Sequence, residues 1–270
     1  HIGGGSHTLI RLNLASLAKK AKDEVDFIEN VLPKAVEAMA NYMDQRVKFL
    51  VEESEFFESS FLVNENLITI DKFSAMFGMF GLAECINHLI EKKGLSDRYG
   101  HSKDSDALGI KIIEKLECEV NKHHAPYCKI SDDKYLLHAQ VGIDTDFGIS
   151  PGCRIPIGEE PCLLEHLIHS TKFHKYFPSG IGDIFNFDIT AKQNPKYILD
   201  IIKGSFKKGV RYFSLYSTES DVIRITGYLV KRSDMEKLDR GEQALNSSVV
   251  LGLGAAKNAK ILDRKIRKNV

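Results

Sequence analysis

Apolar and polar positions alternate through Thr8-Leu9-Ile10-Arg11-Leu12-Asn13-Leu14, the period of a strand with one buried face. From about Asp23 to Glu53 the period changes. Val25, Ile28, Val31, Leu32, Val36, Met39, Met43, Val47 and Leu50 recur at helical spacing. This predicts a long amphipathic helix with Asp23 as its N-cap and a kink or break at Pro33. Phe73 to Ile90 is dense in Phe, Met, Gly and Leu. It reads as a buried strand or turn around Met76 to Gly81 feeding a helix to about Lys93, stopped by Gly94. The Met and Phe residues there are read as core. A further helix is predicted from about Ser105 to Lys122.

Between Tyr135 and Gly158 the pattern shortens and fills with Gly and Pro, which predicts strands joined by tight turns. Ile181 to Ile189 alternates again, Pro195 to Lys207 has helical spacing, and Val210 to Tyr216 is a β-branched and aromatic strand. Strand, helix and strand in succession predict an α/β sheet or barrel. The basic tail 255–270 is expected to be solvated or frayed. The chain shows no internal repeat and no low-complexity segment.

Composition changes this picture little. The chain has 270 residues, 43% hydrophobic, with 37 basic and 37 acidic side chains, an ordinary globular composition for one large domain or two small ones. Zero formal charge provides no electrostatic case for nucleic acid or a membrane surface. No apolar run reaches the roughly 20 residues of a transmembrane helix. No basic region followed by an apolar stretch opens the sequence as a secretory signal would. The five cysteines (Cys85, Cys118, Cys128, Cys153 and Cys162) include no C-x-x-C pair, which fits a reducing cytoplasm. His1-Ile2-Gly3-Gly4-Gly5-Ser6-His7 reads by composition as a linker, or as a chain that starts within a domain.

Several features could carry chemistry. His123-His124 with Cys128 has roughly metal-like spacing but no second ligand cluster nearby. Gly3-Gly4-Gly5 lacks the Gly-Lys-Ser/Thr of a phosphate loop. His166 and His169 could share a helix face with His174 further along, read as substrate contacts or surface histidines. Glu159-Glu160 reads as a solvated turn.

Arg224-Ile225-Thr226-Gly227-Tyr228 stands apart. An R-x-x-G-Y match arises by chance in roughly three of every hundred chains this long, so the motif alone does not decide. Its setting adds weight: a hydrophobic strand and the polar stretch Ser217 to Asp221 precede it. Glycine suits a stored radical. Its α-radical is stabilised jointly by the electron-rich nitrogen and the electron-withdrawing carbonyl, and a side chain would crowd that planar centre. On spacing alone a second reading stays open, a β-turn with Gly227 at positive φ and Tyr228 over it.

The Arg224–Tyr228 segment resembles the radical-site signature of glycyl radical enzymes, in which the glycine follows Arg-Val-x. That group includes pyruvate formate-lyase and the anaerobic class III ribonucleotide reductases. RITGYLVKRSDMEKL, GGGSHTLIRLNLASLAKKA near the start and Gln243 to Gly254 look closest to YjjI-type glycine radical enzymes. FSAMFGMFGLAECINHL and YFPSGIGDIFNF are more distantly similar to barrel segments of the anaerobic reductase. The fold implied is a ten-stranded α/β barrel of two antiparallel five-stranded halves around a finger loop. Residues 1–254 would be the second half, with the radical loop at about 217–232, followed by the basic tail 255–270.

The resemblance also implies roles. Gly227 would store the radical, and Arg224, Ile225, Thr226 and Tyr228 would support its loop. A radical-SAM activase would install the radical, using its own iron–sulfur cluster and S-adenosylmethionine, so the chain itself would bind no cofactor or metal. The partners implied are that activase and a small-molecule substrate, with a homodimer left open. In the family, a cysteine on the finger-loop tip takes over the radical. That loop would precede His1, leaving Cys153 in Pro151-Gly152-Cys153-Arg154 as the internal candidate, against a core or turn role. The reductases' four-cysteine zinc site has no counterpart, since no cysteine follows Cys162. Formate acetyltransferase-like, radical lyase or dehydratase chemistry are alternatives, as is a non-catalytic α/β domain.

Overall fold

The computed structural model describes residues 3–139, 149–217, 222–225, 228–246 and 249–251. Its centre is a parallel sheet. Strand β1 (Gly5–Asn13) pairs with β2 (Phe73–Phe80), which pairs with β3 (Leu136–His138), all parallel and in sequence order. Strand β4 (Ile184–Phe187) pairs in parallel with β5 (Ser214–Ser217). The two groups meet where Ala139 bridges Ile181 in parallel and Gly182 N–H donates to the Ala139 carbonyl at 3.0 Å.

Helices supply the crossovers that parallel pairing requires. Asn13 ends β1 and caps the next helix, its Oδ1 accepting from Ser16 N–H at 2.9 Å. Asp23 caps the long helix as its sequence predicts, accepting from Asp26 N–H. That helix runs without a break to Glu53 because it contains π turns at Phe27–Val31 and Phe49–Glu53. Leu32 N–H donates back to Phe27 O, and this wider turn carries the ladder past Pro33, which has no N–H to give. The expected kink is thus a change of helical pitch. Ser102 caps the Lys103–Asn121 helix through Ser105 N–H. Gly94, at φ +73°, follows the Leu82–Lys92 helix as expected.

One face of the sheet carries the core. Leu12, Ala75, Phe77, Met79 and Leu137 lie beneath Leu32, Val36, Met43 and Val47 of the long helix, Ile86 and Leu89 of the next, and Ile112 and Leu116 of the third. A satellite core forms where Phe185, Phe187 and Leu215 meet Leu167 and Ile201.

Some elements differ from expectation. The strands foreseen between Tyr135 and Gly158 reduce to β3 among the described residues, and 149–157 form turns held by specific hydrogen bonds. The Ile181–Ile189 run shortens to Ile184–Phe187, because Asp188 caps a helix through Thr190 and Ala191 N–H. The strand expected from Val210 begins at Ser214, after Arg211 N–H has bonded to a histidine ring instead of a strand partner. The Leu163–His174 helix was not foreseen as a whole; only the shared face of His166 and His169 was.

Candidate active site

The face of the sheet opposite the core helices carries different chemistry. Register pairs Leu9 with Met76 and Met76 with Leu136, then Arg11 with Gly78 and Gly78 with His138, then Asn13 with Phe80. These residues alternate with the core residues along each strand and so share one face. Leu9 is 45% exposed there, while Ala75, Phe77 and Met79, on the helix side, are fully buried. The Arg11 stem lies across Gly78, where a Cβ would stand 2.5 Å from Arg11 Cγ and 2.9 Å from the Ile10 carbonyl. The Arg11 guanidinium sits 6.0 Å from the centre of the Phe80 ring. His138, half-buried one strand further on, has its pKa lowered by burial and further by the Arg11 charge. On β4 and β5, Asn186 and Tyr216 are register partners on the non-helix face.

Behind this sheet lies a buried polar assembly built on the Leu163–His174 helix. His166, His169, Ser170 and His174 are all buried. His166 Nε2 meets Asp183 Oδ2 at 2.8 Å, and Asp183 Oδ1 accepts Ile184 N–H at 2.8 Å. Ser214 Oγ donates to the Asp183 carbonyl at 2.6 Å, tying β5 to the start of β4. Arg154 Nε donates to the Gly182 carbonyl and lies 3.9 Å from Asp183 Oδ1. His169 Nδ1 and Lys172 Nζ approach Asp106 Oδ2 at 3.2 and 2.6 Å, and Asp106 Oδ1 accepts Gly100 N–H. Burial alone would raise the Asp106 pKa, but its bond to His169, with help from Lys172 and Gly100, brings it down to about 2. His174 Nδ1 accepts from both Ile181 N–H and Arg211 N–H, each at 3.2 Å. It therefore pins the chain just ahead of β4 and of β5. Burial lowers the His174 pKa to about 4, with Asp183 opposing the shift and Arg211 adding to it.

The turns of 149–157 dock across the strand ends. Gly81 N–H donates to the Ser150 carbonyl at 2.8 Å, Pro151 bridges Phe80, and Glu84 Oε1 accepts both Ser150 N–H and Oγ. Burial raises the Glu84 pKa, and among the described residues Glu84 Oε2 has no hydrogen-bond partner. Gly152 is at φ +52° and packs so closely that a Cβ would meet the Ala139 carbonyl oxygen at 2.6 Å.

The residues singled out from sequence fall in different places. Cys153 is 1% exposed in the main core, its carbonyl accepting from Tyr99 OH at 2.8 Å, and burial pushes its thiol well above the usual range. His166 and His169 do share the helix, but they are buried against Asp183 and Asp106 and are not surface residues. His123 meets Asp44 and stacks on Tyr135, and Cys128 is buried; among the described residues no group of three or more His, Cys, Asp or Glu could hold a metal. Glu159 is a surface residue paired with Arg98. Arg224 and Ile225 lie in β6 (Val222–Ile225) and Tyr228 in β7 (Tyr228–Lys231), antiparallel, with Ile225 paired to Tyr228. Thr226 and Gly227 lie outside the described residues, as does the tail 255–270.

Sequence reasoning missed Arg11, His138, Asp106, Arg154 and Asp183 as members of any site. A charged residue inside an apolar strand was visible for Arg11 in LIRLNL and for Asp183 in IGDIFNF. The partners were not, because they lie far away in sequence.

Parallel strands in sequence order, with helices over one face and a mixed apolar and polar face opposite, define an α/β architecture shared with solved enzymes. An anaerobic ribonucleotide reductase is similar over 89% of this chain and 44% of its own (TM-score 0.62, 15% identity). The Thermotoga maritima anaerobic ribonucleotide reductase in complex with dATP and CTP is similar over 85% and 43% (TM-score 0.62, 16% identity). At that identity the likeness is one of fold. Sequence narrows it: a family profile, glycyl radical enzyme YjjI-like, matches residues 1–267. An uncharacterized Haemophilus influenzae protein is 42% identical over 98% of this chain and 52% of its own length. The uncharacterized protein YjjI of Escherichia coli K12 is 40% identical over 98% and 51%. The chain belongs to the YjjI-like glycyl radical enzyme family, and it spans about half the length of the curated relatives it matches. No helix among the described residues is long and apolar enough to cross a membrane.

Proposed function

We propose that this chain is the radical-storing half of an oxygen-sensitive enzyme, with Gly227 as the radical site. The observation that carries the reading is the family match across residues 1–267, which takes in Arg224-Ile225-Thr226-Gly227-Tyr228. In this reading the parallel strands β1 to β5 are one half of a ten-stranded barrel, within residues 1–254, and the open sheet face lines its interior. In this reading Arg224 and Ile225, in β6, and Tyr228, in β7, serve as loop supports or as contacts for an activase.

A radical-SAM activase removes one hydrogen atom from the Gly227 Cα, using its own iron–sulfur cluster and S-adenosylmethionine. The radical then passes to a thiol by transfer of a hydrogen atom from sulfur to that carbon, and the thiyl radical attacks a small-molecule substrate in an anaerobic cytoplasm. The burial of Cys153, together with the role of its backbone in docking the turns, supports a structural part for it. The thiyl cysteine then belongs to a finger loop outside residues 1–270. Acyl transfer, a lyase step or dehydration are the reactions this reading puts to the test.

The test is electron paramagnetic resonance on the full-length protein after anaerobic incubation with activase, S-adenosylmethionine and a reductant. The expected result is a doublet at the free-electron g value. Gly227→Ala should abolish it while leaving the protein folded, and air should replace it with a fragment cut at Gly227. Absence of the signal with a demonstrably competent activase leaves Gly227 a turn residue and removes the enzyme reading.

A further inference from the structure

We propose that a second copy of this chain docks through two complementary surface patches: the acidic, aromatic segment 49–67 of one copy seats on the basic outer face of the Pro195–Lys207 helix of the other. The proposal stands apart from the radical reading and needs none of its steps.

The first patch is built from short turns. A π turn at Phe49–Glu53 is followed by two helices of four residues each, Phe56–Ser59 and Phe61–Asn64. They leave Phe49, Phe61 and Leu67 at 57, 67 and 56% exposed. Phe56, also exposed, packs edge-on against Phe57 at 5.0 Å, and Phe57 packs in the same way on Phe73 of β2. The patch is thereby anchored to the sheet. Glu53, Glu55, Glu58 and Glu65 alternate with these apolar residues along the segment, all exposed and in no ion pair among the described residues. Lys48, just before them, is paired with Glu52 at 3.9 Å.

The second patch is one side of a helix. Ile198 and Ile201 pack inward on the core of Phe185 and Phe187. The opposite side carries Lys196, Leu199, Lys203, Phe206 and Lys207, which helical spacing places on one face. Leu199 and Phe206 are 55 and 51% exposed. The three lysines, with Lys208 just past the helix, are exposed and in no ion pair among the described residues. Asp200 shares this face, equally unpaired, and leaves it net basic.

Exposed apolar side chains interleaved with charge mark interaction surfaces. These two patches carry the same apolar character and opposite signs. Both lie on the surface of one chain, so neither covers the other within a single copy. Contact between copies sets carboxylates opposite ammonium groups and takes the rings and Leu199 out of water. Either patch against its own counterpart would bring like charges together, so the pairing is acidic on basic. Because unlike surfaces meet, the contact runs head to tail unless it is made twice about a two-fold axis.

The experiment is sedimentation velocity on the full-length protein over a range of concentrations. The wild type should self-associate, and less so as salt is raised. Lys196→Glu, Lys203→Glu and Lys207→Glu together turn the helix face acidic, so both patches then carry one sign. Glu53→Lys, Glu55→Lys and Glu58→Lys together make both patches basic. Each triple variant alone should associate about a hundredfold more weakly, and an equimolar mixture of the two should associate again. Leu199→Ser, which changes no charge, should also weaken association. Lys19→Glu, Lys20→Glu and Lys34→Glu, the same change in charge at exposed lysines elsewhere, should associate as the wild type does. A wild type that stays monomeric, triple variants that associate like it, or a mixture that fails to recover overturns the proposal. Circular dichroism reads folding in parallel: loss of structure in the triple variants means that a patch is covered within one chain, and that overturns it too.

Discussion

Lowering the pH from 7 to 5 should destabilise the protein through His174. In the folded chain its Nδ1 accepts two backbone N–H groups, from Ile181 and Arg211, so a proton on that nitrogen would face two donors and no acceptor. Burial lowers the folded pKa from 6.5 to about 4. The unfolded chain therefore binds the proton more readily. The stabilising contribution is complete above pH 6.5 and is lost as the pH falls towards 4. The full shift corresponds to about 3 kcal/mol, of which linkage puts about 2 kcal/mol between pH 7 and pH 5. The assay is urea unfolding at a series of pH values on the wild type and on His174→Asn, whose amide oxygen can take the place of Nδ1 without titrating. Subtracting the two curves isolates His174 from the other histidines. The wild type should lose about 2 kcal/mol more than the variant over this range, with m unchanged. Equal losses in the two proteins would refute the assignment of that nitrogen as the shared acceptor.

Asp106 works in a lower window. Its folded pKa of about 2, against an ordinary 3.8, means its contribution of about 2 kcal/mol survives at pH 5 and disappears only as the pH falls from 3.8 towards 2. Asp106→Asn should remove that acid dependence and destabilise the protein at neutral pH, as read by denaturant midpoints. Gly152→Ala should cost more than an ordinary loop substitution, about 2 kcal/mol or more, because it combines a positive φ with a 2.6 Å approach to the Ala139 carbonyl. Thermal unfolding of the folded variant checks it; a change within about 0.5 kcal/mol of wild type contradicts the close packing of that turn. Phe77→Ala, at a fully buried strand position, should cost about 3–5 kcal/mol by the same measurement.

Much of the fold was written in local pattern. Helical spacing from Val25 to Leu50, the Asp23 cap and the Phe-rich strand leading into the Leu82–Lys92 helix were all legible because period, capping and turn chemistry act over a few residues. The Arg224–Tyr228 segment resembles a radical-site signature, and the proposal for Gly227 rests on that resemblance. What the chain alone could not show was partnership. Asp106 meets His169 across 63 positions, Arg154 reaches Gly182 across 28, and Arg11 and His138 become neighbours only because two parallel pairings place β2 between their strands. Even the misread elements follow this division. Pro33 lies within a continuous helix because of π turns, and the strand after Val210 starts late because a histidine 37 positions earlier takes the Arg211 N–H. Local sequence determines which conformations a segment favours. Burial, register and the charges that meet inside the protein are decided by the tertiary structure, because each depends on residues that come together only when the chain folds.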